Sequence, residues 1–293
     1  MGSEVLCHRT RTRLLVHIRA SKPDALQGVS LHYPGTVTLS TANLQLTARL
    51  IARHRAAIGS YWRKLDPSQQ ALLALVYLRK HETYAALAEG WRIGQTTAWR
   101  YIREVITLLE ALAPTLQGAL WAAASRGLRW LLLDGTCAEI DRINDLHHPD
   151  QGKHVDRHWC HKHRHHAVTF AALTDHDGHL VWIGTGYPGS THDLTAARSD
   201  DVFYLARKAD LELFADKGYT GAGERVTVPV KGKRDNLAEA QREHNHVVNS
   251  TRALVERGFA VLKQWKLFER ARCCPTLLAR AAKAVLVLEL NAR

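Results

Sequence analysis

The sequence has no uninterrupted apolar stretch near the ~18–20 residues that cross a bilayer, and its first residues lack the basic, apolar, small-residue order of a secretory signal. Membrane insertion and export are set aside on that ground, and a cytoplasmic protein is expected. Cysteine is sparse. Cys7, Cys137, Cys160, Cys273 and Cys274 are odd in number and irregular in spacing, which argues against a disulfide framework and fits reduced thiols. Acids are also short, with 28 Asp and Glu against 40 Lys and Arg, for a formal charge of +12 and a pI near 9.7. That imbalance favours a polyanionic partner, nucleic acid above all, although solubility alone can sustain a basic surface. What is present is ordinary: 293 residues, 46% apolar and 23% charged, suit one large or two ordinary globular domains.

Residues 1–37 carry Arg9, Arg11, Arg13 and Arg19 in a weakly apolar run broken by Pro23 and Tyr33-Pro34-Gly35, and read as a poorly ordered arm. From Leu39 to Lys64, apolar Leu44, Leu50, Ile51, Ile58 and Trp62 sit among Arg49, Arg53, His54, Arg55 and Arg63, the pattern of an amphipathic basic helix. Asp66-Pro67-Ser68-Gln69 then has capping-box order ahead of the apolar run Ala71 to Leu78. A short helix from Thr83, a turn holding Gly94 and a longer helix over 95–109 follow. This is the order of a helix-turn-helix, whose last helix enters the major groove. Thr96, Thr97, Trp99, Arg100 and Arg103 are the candidate DNA contacts, with Ala98, Ile102, Val105 and Ile106 facing inward; a plain helical bundle shares the pattern.

Pro114 closes the helical region, taken as a domain over 38–114. Trp130 to Leu133 is an apolar run of strand length that stops at Asp134 and a turn glycine, Gly135. A polar loop over 141–158, a strand at 166–173, a turn at 175–178 and a strand at 179–184 complete a meander. Gly189-Ser-Thr-His-Asp193 introduces a helix to about Ala206, strand Leu211 to Ala215 ends at Asp216, and a strand at 225–230 precedes a helical last third. From Asn249 to Trp265 apolar residues recur with helical period. On a helix turning about 100° per residue, Arg252, Glu256 and Lys263 fall within ~40° of one another. A surface ladder of ion pairs would show the same face.

An aspartate at a strand end is commonly a turn residue, and Asp134 or Asp216 alone admits that reading. Three carboxylates together form a hard-oxygen donor set for Mg²⁺ or Mn²⁺, and two such ions ~4 Å apart stabilise both oxygens of a phosphoryl displacement. Asp193 competes with Asp216 as the second acid, but it opens a helix, where aspartate often serves as N-cap, so Asp216 is preferred. Glu139, Asp141 and Asp145 lie in or near the polar loop and are left unassigned. The histidine-rich segment 154–166 has Cys160 alone and no paired zinc-ligand spacing, so a structural zinc is not expected. Its Lys162 and Arg164 are candidate phosphate contacts, or a solvated hairpin edge.

These residues resemble a known family. Asp134-Gly-Thr136, Gly189-Ser-Thr-His-Asp193, Ala215-Asp216-Lys-Gly-Tyr219 and the series Arg252, Glu256, Lys263 are similar to the motifs of DDE transposases of the insertion-sequence 5 type. Residues 66–109 resemble the helix-turn-helix ahead of that endonuclease domain. The likeness spans about residues 40–270 and departs at Asn249, where the family signature has tyrosine. It implies an α/β, ribonuclease-H-like catalytic domain over 125–270, preceded by the all-α helix-turn-helix domain and followed by a C-terminal helix in 271–293. It further implies a transposase in which Asp134, Asp216 and Glu256 are the catalytic acids and the ligands of two Mg²⁺ or Mn²⁺ ions, with Asp193 the runner-up. Lys217, Arg252 and Lys263 would neutralise phosphate near the cut. Strand cleavage and strand transfer at terminal inverted repeats are the implied reactions. Double-stranded DNA and at least a second copy of the chain are the expected partners, with no membrane and no small-molecule cofactor. Two rivals stand beside this: a domesticated DNA endonuclease and a non-catalytic DNA-binding protein.

Overall fold

The computed structural model describes residues 39–60, 62–143, 146–147, 155–252 and 254–293, with the side chains of 146, 147, 155, 234 and 255–257 outside that description. The expected arm over 1–37 and the unassigned Asp145 therefore lie outside the described residues. Contacts divide the chain into two units between Val105 and Ile106.

The first unit is helical: α1 (Thr41–Ala57), α2 (Pro67–Lys80), α3 (Tyr84–Gly90) and most of α4 (Gln95–Glu110). The capping box forms as its residues dictate, with the Asp66 carboxylate accepting from the Ser68 and Gln69 N–H groups while the Gln69 side chain accepts from the Asp66 N–H. Such a cap is worth roughly 1 kcal/mol. Thr83 caps α3 in the same manner, accepting from the Ala86 N–H at 3.2 Å. Ala98, Ile102, Val105 and Ile106 of α4 are buried, as the apolar spacing requires. Three bases of the amphipathic first segment, by contrast, turn inward. Arg55 of α1 donates to Gln70 Oε1 of α2, and the Gln70 amide donates to Glu104 Oε2 at 2.8 Å and to the Tyr101 carbonyl at 3.2 Å. Arg63 reaches Glu104 at 3.1 and 3.2 Å, and His54 lies 3.3 Å from it. Burial depresses the Arg55 guanidinium below its ordinary value.

The second unit opens with α5 (Leu116–Ser125) and continues through β1 (Trp130–Ile140), β2 (Leu146–His147), β3 (Val155–Asp156), β4 (Trp159–Cys160), β5 (His165–Thr174), β6 (Leu180–Ile183) and β7 (Tyr187–Pro188). Then come α6 (Asp193–Ser199), α7 (Val202–Lys208), β8 (Glu212–Phe214), β9 (Val226–Thr227), α8 (Glu239–Arg252), α9 (Val255–Lys263), β10 (Arg270–Ala271) and α10 (Pro275–Asn291). β6, β5 and β1 are antiparallel neighbours, and β8 and β9 extend the sheet in parallel from β1. Antiparallel meander first, parallel strands after, on one sheet with helices on both sides, is a ribonuclease-H-like α/β fold.

Alternation along the strands sorts the two faces. Leu131, Leu133, Ala171, Leu173, Leu213 and Ala215 pack with Leu120 of α5, Ala197 of α6 and Ala206 of α7. The opposite face carries α9 and α10, with Gly258 of α9 against Thr174 and Ala279 of α10 near Gly186 and Phe170. Complete burial of each large aliphatic side chain contributes roughly 1.5–3 kcal/mol.

Three local expectations are corrected. β1 does not stop at Asp134 but runs to Ile140, paired with β5 through Asp134↔Ala172 and Gly135↔Ala171, so Gly135 is a strand residue and not a turn. The helix expected over 249–265 is two helices, α8 ending at Arg252 and α9 beginning at Val255. At the break the Ser250 and Thr251 hydroxyls donate to the Val247 carbonyl at 2.9 and 2.8 Å, the side-chain back-bonding that competes with helix continuation. Likewise, the helix expected from Asp193 to about Ala206 is split into α6 and α7, with Asp201 between them at φ 58°.

Candidate active site

Asp134 projects from the middle of β1. One oxygen accepts the Gly135 N–H at 2.8 Å and the other lies 3.4 Å from Arg252 Nη2 at the end of α8. Burial pushes its carboxyl above the ordinary value; Arg252 and the Gly135 N–H oppose the rise, and Asp216 and Asp193 add to it.

Asp216 follows β8. Leu132 faces Phe214, the last residue of β8, in the parallel register of β1 and β8, and Asp134 and Asp216 each follow two residues later, close enough for the charge of Asp216 to act on Asp134. Asp216 also accepts the Gly218 N–H at 2.8 Å and caps the 3₁₀ turn Lys217–Tyr219, so it is a cap and a member of the acid cluster at once.

Asp193 approaches the strand of Asp134 from the opposite face of the sheet. It is the first residue of α6 and His192 holds the N-cap position, which corrects the expected capping role. Its carboxylate rests on Gly135: a Cβ added there would lie 2.2 Å from Asp193 Cγ. Any other residue at 135 would displace it. Burial raises this carboxyl too, Lys162 opposes the rise, and Asp216 adds to it.

Glu256 lies on α9, and its side chain is outside the described residues. The helix that carries it is seated by Gly258, where an added Cβ would meet Thr174 Cγ2 at 2.7 Å and the Gly178 carbonyl at 3.0 Å. Thr174 faces Leu132 in the β1–β5 ladder, so α9 packs on the face from which Asp134 projects. Arg252 is not on the helix of Glu256 and Lys263 as expected, but it still arrives at Asp134.

The sequence reading assigned no role to Tyr219. It is fully buried, its ring packs edge-on at 6.4 Å from Phe203, and among the described residues its hydroxyl has no hydrogen-bond partner. Burial and the charges of Asp193, Asp134 and Asp216 hold its phenol well above the ordinary value, and hence protonated. Its place in Asp216-Lys-Gly-Tyr219 was the signal. The buried Nε of Arg252 is likewise an unpartnered donor.

Lys162 and Arg164 stand exposed in the turn between β4 and β5, Lys217 in the 3₁₀ turn and Lys263 on α9. Near them the Cys137 thiol is pushed up to about 11 by burial. In the first unit Thr96, Trp99 and Arg100 are exposed and Thr97 and Arg103 half-buried, with the Arg103 guanidinium 4.8 Å over the Trp99 ring. Glu139 and Asp141 both face Arg270, at 3.6 and 3.1 Å.

Another group of possible metal ligands, Asp175, Asp177 and His179, brings one atom each within 4.8 Å of the others. Asp175 there accepts the Asp177 and His179 N–H groups and pairs with Arg126 at 3.3 Å, so a hairpin turn accounts for it without an ion. Asp134 and Asp216 are different: Asp216 raises the carboxyl of Asp134 under partial burial, both offer carboxylate oxygens, and a divalent cation would relieve the repulsion, so this pair is the one whose chemistry fits Mg²⁺ or Mn²⁺.

A family model described as DDE superfamily endonuclease matches residues 133–289, and one described as helix-turn-helix of DDE superfamily endonuclease matches residues 63–115. The chain belongs to the DDE superfamily endonucleases. No curated protein matches this endonuclease. Among solved structures, it aligns with a chain of the Mos1 transposase paired-end complex with left transposon end, at 14% identity over 75% of each chain. The TM-score of that alignment is 0.19.

Proposed function

We propose that this DDE endonuclease is a transposase that nicks DNA at terminal inverted repeats and joins the freed 3′ end to target DNA. The observation that supports the reading is that Asp134 and Asp216 follow the paired ends of two neighbouring strands and act on one another electrostatically, with Asp193 against Gly135. Asp134, Asp216 and Glu256 are the catalytic acids and would hold the ions, with Asp193 the alternative ligand. Two Mg²⁺ or Mn²⁺ ions, when bound, supply Lewis-acid activation of water and stabilise the attacking and leaving oxygens.

The chain's own residues do the remainder. Thr96, Thr97, Trp99, Arg100 and Arg103 of α4 read the inverted repeat in the major groove. Lys162, Arg164, Lys217 and Lys263 neutralise phosphates and fix the register of the duplex. Arg252, anchored to Asp134 and with its Nε unpartnered among the described residues, would offer that donor to an anion at the cut. Cutting two ends calls for a homodimer or larger assembly on DNA. No described helix is long and apolar enough to cross a membrane, and we place the activity in the cytoplasm.

The test is Mg²⁺-dependent nicking of duplex DNA carrying the sequences that flank the coding region. Asp216→Asn is expected to stop nicking and Asp193→Asn to weaken it. Normal cutting by Asp216→Asn with none by Asp193→Asn would exchange the two acids, and failure of the wild type with both Mg²⁺ and Mn²⁺ would overturn the reading.

A further inference from the structure

Trp99 and Arg103 stand four residues apart on α4, and the Arg103 guanidinium lies 4.8 Å over the centre of the Trp99 ring. At ~100° per residue Thr96, Arg100 and Arg103 point within ~60° of one another, with Trp99 on the flank beside Arg103. Ala98, Ile102 and Val105 face the other way and are buried, whereas the Trp99 ring is 40% exposed and holds its cation at the surface. Side chains on a helix lean toward its N-terminus. The stack uses that lean: it lays Arg103 back over the ring and carries the guanidinium about one turn, ~6 Å, toward the start of α4. A side chain rooted in the third turn thereby serves the first two, the end of a recognition helix that reaches base edges.

Stacking engages the flat face of a guanidinium and leaves recognition to its rim of N–H donors. The ring also fixes the direction of that rim before DNA arrives. A phosphate accepts from many directions and is served by a freely swinging side chain. The O6 and N7 of guanine lie in one plane and reward a fork already held in place. We infer that Arg103 reads a guanine in the major groove of the inverted repeat and that Trp99 is the positioning residue that holds it there. The inference rests on α4 being the recognition helix of the proposed transposase.

The test is binding of the full-length chain, by fluorescence anisotropy, to a duplex carrying the sequence that flanks the coding region. The same duplex with each G·C pair in turn replaced by A·T, and a random duplex, complete the set. The wild type is expected to lose roughly tenfold in affinity when the guanine read by Arg103 is replaced. Arg103→Lys keeps the charge and should abolish discrimination at that pair while sparing the random duplex. Trp99→Leu should relax the same pair and no other, Trp99→Tyr should restore most of the discrimination, and Trp99→Leu added to Arg103→Lys should change nothing further. Losses equal on every duplex, with a shallower salt dependence, would make Arg103 a phosphate contact and overturn the inference. A Trp99→Leu variant with a lowered Tm and intact discrimination would leave the ring a purely structural role and overturn it as well. A wild type that binds flanking and random duplexes alike would instead sink the reading of α4 as a recognition helix, and the inference with it.

Discussion

Glu104 in the helical unit and Asp134 in the sheet unit are both part-buried acids, but their company differs. Glu104 collects Gln70, Arg63 and His54, donors and positive charge, and through Gln70 it ties α1 to α2 and α4. Asp134 has one arginine at 3.4 Å and two other carboxylates pressing on it. Opposite charge gathered under cover stabilises a fold, whereas like charge gathered under cover works against it and persists where function needs it. Under the proposed function, the contrast separates the charged residues that hold this protein together from those that act.

The largest effect should come from the acid that acts. Asp134→Asn is expected to lower nicking by at least ~10³-fold, several kcal/mol of transition-state stabilisation, while the protein stays folded. Single-turnover cleavage beside a circular-dichroism melt checks both halves. Next is the acid that holds. Glu104→Ala strands Gln70 and two bases, and should cost about 2 kcal/mol of unfolding free energy, read by urea denaturation. If Glu104→Ala proved neutral in stability, the contrast would collapse from that side.

Gly258→Ala probes the support of the site. Helix propensity alone would favour alanine by about 1 kcal/mol, but the added methyl has no room beside Thr174 and Gly178, so a net loss of about 1 kcal/mol and weaker nicking are expected. A gain in stability with full activity would show that α9 seats itself differently. The smallest effect is a pH dependence. The Asp134 carboxyl is raised above 3.8 in the folded protein, so the stability it lends is complete below that value and is lost as pH rises through the raised one. Without metal, Asp134→Asn should therefore be more stable than wild type above that window, and the gap should close as pH falls through it. A denaturation series across pH gives the sign.

Much of this was legible in the residues. The capping box at Asp66 is local chemistry, and the inward row Ala98, Ile102, Val105 and Ile106 is plain periodicity; both rules act within one or two turns of chain. The meander and the parallel strand ending near Asp216 could likewise be read from apolar runs and turn residues. What escaped depended on distant partners. Gly135 looks like a turn residue until Asp193, far along the chain, occupies the space of its missing side chain. Arg55 and Arg63 look like solvated bases until Gln70 and Glu104 meet them. The break between α8 and α9 is signalled only by Ser250 and Thr251, which many intact helices also contain. Tyr219 was visible as a letter in its motif, but that its hydroxyl is buried without a partner among the described residues is a property of packing.

A β-sheet ordinarily insulates one face from the other, because side chains hold charged groups several ångströms clear of the backbone. At Gly135 that insulation is missing. Asp193 lies directly against the strand on one side while Asp134, the adjoining residue, leaves from the other, and the charge of Asp193 adds to the rise of the Asp134 carboxyl. Lys162 neutralises part of the field of Asp193 from the turn before β5. Lys162 on a surface turn and Asp134 on the far face are thus brought within reach of one carboxylate, at the one position where the strand carries no side chain to hold it off.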